Sequence, residues 1–211
     1  MAPRTTLDRS ELRKISQTTL AHYHDTAEGF WEGTRNHDVS QNIHALLSHL
    51  GAGPFRILDF GCGPGRDLRA FRDLGHEAVG LDGAARFVEM AREHSGCEVL
   101  QQDFLALDLP AAHFDGVFAN ASLFHVPAQE LPRVLGELRD ALRPSGILFS
   151  SNPHGQNEEG WRDRRYASYL DLETWRGVVS SVGFVELEHY FRPPGLPRSQ
   201  QPWLAMVCRK A

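Results

Sequence analysis

The chain has 211 residues, 41% of them hydrophobic and 23% charged, the balance of an ordinary soluble domain with a substantial core. Lys and Arg are scattered among a small excess of acids, for a formal net charge of −5, so the concentrated basic face that bulk nucleic-acid binding needs is missing. No stretch approaches the ~20 apolar residues of a membrane span, and the opening MAPRTTLDRS lacks the apolar run of a secretory signal; a cytoplasmic protein without a membrane partner is expected.

Residues 8–35 read as polar and helical, with an aromatic cluster at Tyr23, Phe30 and Trp31. Ser40 can cap a helix whose Ile43, Leu46, Leu47 and Leu50 fall at i, i+3, i+4 and i+7. Gly51, Gly53 and Pro54 end it, and a short apolar strand, Ile57 to Phe60, then rises into Gly61, Gly63 and Gly65. The next helix carries Leu68, Phe71 and Leu74 and stops at Gly75. A second strand, Glu77 to Leu81, ends in Asp82-Gly83 and is followed by a helix with Phe87, Met90 and Ala91 on one face. A third strand, Cys97 to Leu100, ends at Gln102-Asp103-Phe104, and a fourth, Phe114 to Ala119, runs into a loop from Asn120 to Val126. Pro127 is expected to open the next helix, where its missing N–H costs nothing, and Leu131, Val134, Leu135, Leu138 and Leu142 form that helix's buried stripe. Pro144-Ser145-Gly146 turns into a fifth strand, Ile147 to Ser151.

Strands alternating with helices of this length predict a doubly wound α/β fold with a Rossmann-like, mostly parallel sheet. Beyond strand five the rhythm breaks. Residues 152–170 read as a long functional loop, 171–182 as a helix, and 184–191 and 203–208 as an antiparallel hairpin whose prolines confine the connection to a loop. A single domain is expected, with a helical cap over 1–50, a ligand-binding core over 55–152, and a substrate loop plus hairpin over 153–211. Cys62, Cys97 and Cys208 are widely spaced and fit reduced thiols. His22 and His24, or His44 and His49, do not share a helical face, so no metal site is expected.

Strand, glycine turn and helix is the arrangement that lets backbone approach a nucleotide-like ligand, although an ordinary βα turn can look the same. Three acids lie in or just after successive strands. Asp59 lies within the first, Asp82 stands where an acid would take ribose hydroxyls, and Asp103 can accept from an exocyclic amine while Phe104 packs on a ring. Taken singly, Asp82 is equally a helix cap and Asp103 a turn residue. Arg66 occupies the place where a dinucleotide fingerprint wants a third small residue, which turns the reading away from nicotinamide cofactors.

The order D-F-G-C-G-P-G, then V-G-L-D, Q-Q-D-F, F-D-G-V-F-A-N-A-S-L-F-H-V and L-R-P-S-G-I-L-F, resembles class I S-adenosylmethionine-dependent methyltransferases over about 150 residues. H-Y-H-D-T-A-E-G-F-W resembles the N-terminal helix of small-molecule members, and the final hairpin looks like that family's seventh strand, making a seven-stranded sheet under an N-terminal helical lid. The resemblance implies S-adenosylmethionine as cofactor and S-adenosylhomocysteine as product. Gly61, Cys62, Gly63 and Gly65 would hold the methionyl part, with Asp59 near its ammonium group. Asp82 and Gly83 would meet the ribose, and Asp103 and Phe104 the adenine. Asn120 and Ala121 would line the floor, and Tyr23 would close over the top. Arg35 or Arg66 would meet the methionyl carboxylate.

Methyl transfer from a sulfonium needs alignment and exclusion of water more than acid–base chemistry, and a base only where the nucleophile is protonated. His125 is the candidate for that role. Trp31, Asn152, His154, Trp161, Tyr166 and Arg192 are the candidate substrate contacts, polar and aromatic groups suited to a polar small-molecule acceptor. An RNA or protein methyltransferase and a non-catalytic nucleotide-binding protein are the alternatives; the N-P-P-Y or D-P-P-Y of base-amino methyltransferases is absent after strand four.

Overall fold

The structure, a computed structural model, describes residues 6–211; the first five residues of the expected cap lie outside the described residues. The cap begins with α1 (Arg9–Asp25), which starts at a full capping box. Asp8 accepts from the Ser10 and Glu11 amides, and the Glu11 carboxylate accepts from the Asp8 amide. The helical stretch expected over 8–35 is interrupted at Thr26, whose hydroxyl donates to His22 O, and resumes as α2 (Ala27–Thr34). The third cap helix is α3 (Ser40–Ser48).

The core alternates β1 (Arg56–Phe60), α4 (Arg66–Asp73), β2 (Glu77–Asp82), α5 (Ala85–Ser95), β3 (Glu98–Gln101), β4 (Phe114–Asn120), α6 (Leu131–Ala141) and β5 (Leu142–Pro153). After it come β6 (Glu158–Arg162), β7 (Arg165–Tyr169), α7 (Leu172–Ser181), β8 (Phe184–Arg192) and β9 (Trp203–Lys210). One seven-stranded sheet has the order β3-β2-β1-β4-β5-β9-β8, parallel through β5 and antiparallel where β9 pairs with β5 and β8. The chain turns back between β1 and β4, which places a switch point at the carboxyl ends of those two strands.

Burial on both faces explains the near-continuous apolar strands. Ile57, Phe118 and Phe149 pack with Ile43 and Leu46 of α3 and with Leu68 and Phe71 of α4. Their neighbours Leu58, Val117 and Leu148 point the other way, onto Leu135 and Leu138 of α6 and Trp175 of α7. Each fully buried side chain of this size stabilises the fold by about 1.5–3 kcal/mol.

Three expectations are corrected. Pro127 does not open a helix: it heads a turn closed by Glu130 N donating to Pro127 O, and α6 begins four residues later with Pro132 in its first turn. The Pro144-Ser145-Gly146 segment is a bulge inside β5, which already pairs at Leu142 with Phe114 before its register shifts. The long loop over 152–170 contains a separate antiparallel hairpin, β6 with β7, laid against α1.

Candidate cofactor and acceptor site

A cavity of about 680 Å³ opens over the carboxyl ends of β1 to β4, roofed by α1 and α2 and closed at one side by β7 and the β8–β9 end. It falls within the ~300–1,000 Å³ of small-molecule sites. The glycine turn forms one edge. A Cβ built on Gly63 would meet only the Phe30 ring, 3.7 Å away, so this backbone faces open cavity and only glycine leaves that space free. Gly63 has φ +52, a left-handed conformation that glycine tolerates at little cost.

The strand-end acids sit around that edge in three different states. Asp59 is 2% exposed beneath the turn, and its Oδ2 is buried without a hydrogen-bond partner. Burial, with the Asp67 and Asp82 charges nearby, pushes its carboxyl well above the usual range. Asp82 accepts from the Gly63 amide at 3.0 Å and the Ala84 amide at 2.9 Å, which ties the first and second strand ends together. Burial still outweighs those bonds and raises its carboxyl to about 6. Asp103 accepts from the Leu105 amide at 2.8 Å and from the Ser16 hydroxyl of α1 at 2.5 Å, so it also anchors the roof. Phe104 stacks on Phe60, with ring centroids 4.2 Å apart, and lines the same end.

The floor is held by a chain of amides and charges. Asn120 accepts from the Asn42 amide at 2.9 Å and donates to Asp67 at 3.0 Å, while Asn42, wholly buried, accepts from the Tyr190 hydroxyl at 3.0 Å. Arg66 grips the same Asp67 through two nitrogens, at 2.6 and 3.0 Å, and donates to Thr34 O. Arg66 lines the cavity but is already ion-paired, whereas Arg35 pairs with Glu32 outside it.

On the opposite wall one imidazole joins three elements. His125 Nδ1 lies 2.8 Å from the Tyr166 carbonyl, which can only accept, so Nδ1 carries the proton. Nε2 then accepts from the Tyr23 hydroxyl at 2.7 Å. Burial lowers the imidazole to about 4, and it is neutral at pH 7. The Arg165 guanidinium approaches the Tyr23 oxygen at 3.5 Å, and burial raises the Tyr23 phenol. Phe30 and Phe87 complete an aromatic cluster with Tyr23, all three centroid separations lying between 5.1 and 5.7 Å.

Of the residues expected at a cofactor, Tyr23, Gly61, Cys62, Gly63, Asp82, Asp103, Phe104, Asn120 and Ala121 line the cavity; Asp59, Gly65 and Gly83 lie behind its surface. Of the expected acceptor contacts, Trp31 and Arg192 line it together with Trp203, and the other four side chains do not. Asn152 faces a second, minute void, His154 packs on Phe191, and Trp161 points outward at 41% exposure with Tyr166 against its edge. The hairpin register explains this: Trp161 pairs with Tyr166, and the residue that reaches the cavity is Arg165, one position earlier. Arg165 and Phe124 escaped sequence reasoning because neither stands in a glycine turn or at a strand end. Among the described residues no group of three or more His, Cys, Asp or Glu is placed to hold a metal ion, and no helix is long and apolar enough to cross a membrane.

The residues fit an adenosine-and-methionyl ligand: an open glycine backbone, an orphaned buried carboxylate beside it, and two further acids spaced along one edge. A family model described as "Methyltransferase domain" matches residues 57–146. Malonyl-[acyl-carrier protein] O-methyltransferase of Enterobacter lignolyticus is 38% identical over 110 residues, covering 51% of this chain and 43% of that protein. Trans-aconitate 2-methyltransferase of Paracidovorax citrulli is 33% identical over 149 residues, covering 67% and 55%. The chain thus spans roughly half the length of these curated relatives. The Burkholderia thailandensis 1,6-didemethyltoxoflavin-N1-methyltransferase, solved with 1,6-didemethyltoxoflavin and S-adenosylhomocysteine, has the same fold at a TM-score of 0.78 and 20% identity, covering 100% of this chain and 93% of that one. The stretch from β1 into β5 thus matches a methyltransferase domain, and the whole chain has the fold of that solved methyltransferase.

Proposed function

We propose that this protein transfers a methyl group from S-adenosylmethionine to a small-molecule acceptor by in-line displacement. The observation that carries the reading is the delivery of the glycine turn, Asp82 and Asp103 by three adjacent strands to one edge of a single cavity, with a separate wall left for the acceptor. When bound, the cofactor supplies an electrophilic methyl on a sulfonium. The chain's own groups bind and orient. Asp82 offers free lone pairs to a ribose diol, Asp103 to an amine, and the Gly61–Gly63 backbone, with Asp59 beneath it, takes the methionyl end. Tyr23, Phe30 and Phe87 exclude water from the reacting centre and present ring faces that favour a cation. Alignment of this kind is worth of order 7–11 kcal/mol at best.

His125 was the sequence candidate for a base. Both its ring nitrogens are engaged, and its geometry suits positioning Tyr23 rather than proton abstraction. A cavity of this size roofed by two helices favours a small acceptor over a nucleic acid or a protein surface. Calorimetry tests the reading: S-adenosylmethionine and S-adenosylhomocysteine should bind and NAD should not. Binding of NAD alone would overturn it.

A further inference from the structure

Two half-buried arginines of the acceptor wall each keep a buried donor without a partner. Arg165 and Arg192 both line the cavity, and the Nε of each is buried without a hydrogen-bond partner. Arg165 has only the long contact to the Tyr23 hydroxyl, and Arg192 only a 3.4 Å approach to the Asp38 carbonyl. The Asp38 carboxylate, close enough to feel the Arg192 charge, accepts from the Ser40 amide and makes no hydrogen bond to Arg192. Buried donors are nearly always satisfied, and a planar fork of donors facing a cavity matches a carboxylate. Arg66, in the same cavity, shows the satisfied state: two nitrogens on the Asp67 carboxylate.

Between the two arginines runs a wall of rings. Tyr23 lies 5.3 Å from His125, His125 4.0 Å from Phe124, and Phe124 6.3 Å from Trp203, measured between centroids. Arg165 sits 6.0 Å from the Tyr23 ring, and Arg192 stands opposite Trp203 in the β8–β9 ladder. The wall is apolar in its middle and cationic at its ends, a surface for a flat organic anion. A carboxylate also meets the second constraint. With His125 committed on both nitrogens, the wall offers no free base, and a carboxylate arrives already deprotonated.

We propose that the acceptor is a small aromatic or conjugated carboxylic acid, anchored as its carboxylate at one end of this wall, by Arg165 or by Arg192, and methylated on a carboxylate oxygen. This rests on the methyltransferase reading above. One carboxylate oxygen stays on a guanidinium while a lone pair of the other forms the new O–CH₃ bond. The S–CH₃ bond breaks with its electron pair remaining on sulfur, no proton moves, and a methyl ester leaves with S-adenosylhomocysteine. The arginine at that end is then a specificity-determining residue.

The test uses the full chain saturated with S-adenosylhomocysteine, and cinnamate against cinnamamide, a pair of equal shape that differs in charge. Calorimetry should show cinnamate binding at least tenfold tighter than the amide. That preference should fall at least fivefold in Arg165→Gln, in Arg192→Gln, or in both, while S-adenosylhomocysteine affinity stays within threefold. With methyl-labelled S-adenosylmethionine, any methylated cinnamate should release its label as volatile methanol in mild alkali. Equal binding of acid and amide, an undiminished preference in both variants, or an alkali-stable product methyl would overturn the proposal. A tenfold loss of S-adenosylhomocysteine affinity in Arg165→Gln would instead assign that arginine to the cofactor's own carboxylate and also overturn it. If the wild type binds no S-adenosylhomocysteine, the methyltransferase reading itself has failed.

Discussion

Replacing Asp82 with alanine separates a group that holds ligand from one that holds the fold. In the free protein its carboxylate satisfies two buried amides, Gly63 and Ala84, and losing their acceptor costs about 1–3 kcal/mol each. Against that, burial has raised the carboxyl from 3.8 to about 6, so keeping it ionised at pH 7 destabilises the native state by roughly 3 kcal/mol, which alanine relieves. The two effects nearly offset. The variant should therefore fold, with a net loss at pH 7 of no more than about 3 kcal/mol. The sign with pH is definite. An acid whose native pKa is raised binds its proton more tightly folded than unfolded, so this contribution is intact below about 3.8 and lost as pH rises through 6. The Asp82→Ala variant should lack that slope in urea titrations. Binding behaves differently. Two ribose hydroxyls donating to a carboxylate are worth about 1.5–3 kcal/mol each, so S-adenosylhomocysteine affinity should fall about 10²- to 10⁴-fold in calorimetry. Because those bonds favour the ionised form, wild-type affinity should also weaken as pH drops below about 6, with no matching weakening in the variant. An unchanged dissociation constant in Asp82→Ala at pH 7, or a wild-type affinity flat from pH 7 to 5, would refute the ribose assignment.

Other perturbations isolate other parts of the site. Gly65 has φ +91, and a Cβ there would lie 2.8 Å from the Ala91 Cα, whereas Gly75 has φ +87 with nothing within 4 Å. Gly75→Ala should cost about 1–2 kcal/mol of backbone strain, and Gly65→Ala clearly more in urea unfolding; equal costs would deny the close approach of α4 to α5. His125 is held near 4 by burial, below the 6.5 of an exposed imidazole, so the unfolded chain takes up a proton that the native one refuses. Stability should drop by roughly 3 kcal/mol as pH falls from about 6.5 through 4, and His125→Asn should remove that slope. Asn42→Ala leaves the Asn120 oxygen without its donor and the Tyr190 hydroxyl without its acceptor, and should destabilise the fold by about 2–4 kcal/mol while lowering cofactor affinity; a loss below 1 kcal/mol would mean the floor network repairs itself.

The parts of the site that were legible in the sequence are those whose cause is local. A continuously buried apolar strand, three glycines and a helix follow from a dozen consecutive residues, and Asp82 and Asp103 sit at or just past strand ends that apolar patterning locates to within a residue. The β6–β7 hairpin was not legible. Its strands, E-E-G-W-R and R-Y-A-S-Y, carry charges at four of ten positions because only Tyr166, Ala167 and Ser168 are buried. The pairing is supplied by neighbours: the Thr19 hydroxyl accepts from the Tyr166 amide, and His125 donates to the Tyr166 carbonyl. Pro127 misled for the converse reason, since a proline that suits a helix start equally suits a turn, and the apolar stripe from Leu131 does not say which. Asn42 was invisible because its partners, Asn120 and Tyr190, are 78 and 148 residues away.

The same imidazole that looked like a catalyst explains how the wall is assembled. Tyr23 reaches His125 from α1, Tyr166 reaches it from β7, and His125 itself follows β4, so the roof, the hairpin and the sheet meet at one side chain. Such a joint works only while the ring is neutral, because a protonated ring would give Nε2 a proton and end its role as acceptor from the Tyr23 hydroxyl. Burial guarantees that neutrality, but it also withdraws His125 as a base: its basicity is too low at about 4, and its free lone pair is already occupied. The rate enhancement then has to come from alignment and a dry cavity, which place no proton on the protein. An acceptor that must lose a proton to react would find no partner on this wall, whereas one that arrives ionised needs only a cation to hold it, and Arg165 stands beside Tyr23 with a donor unspent.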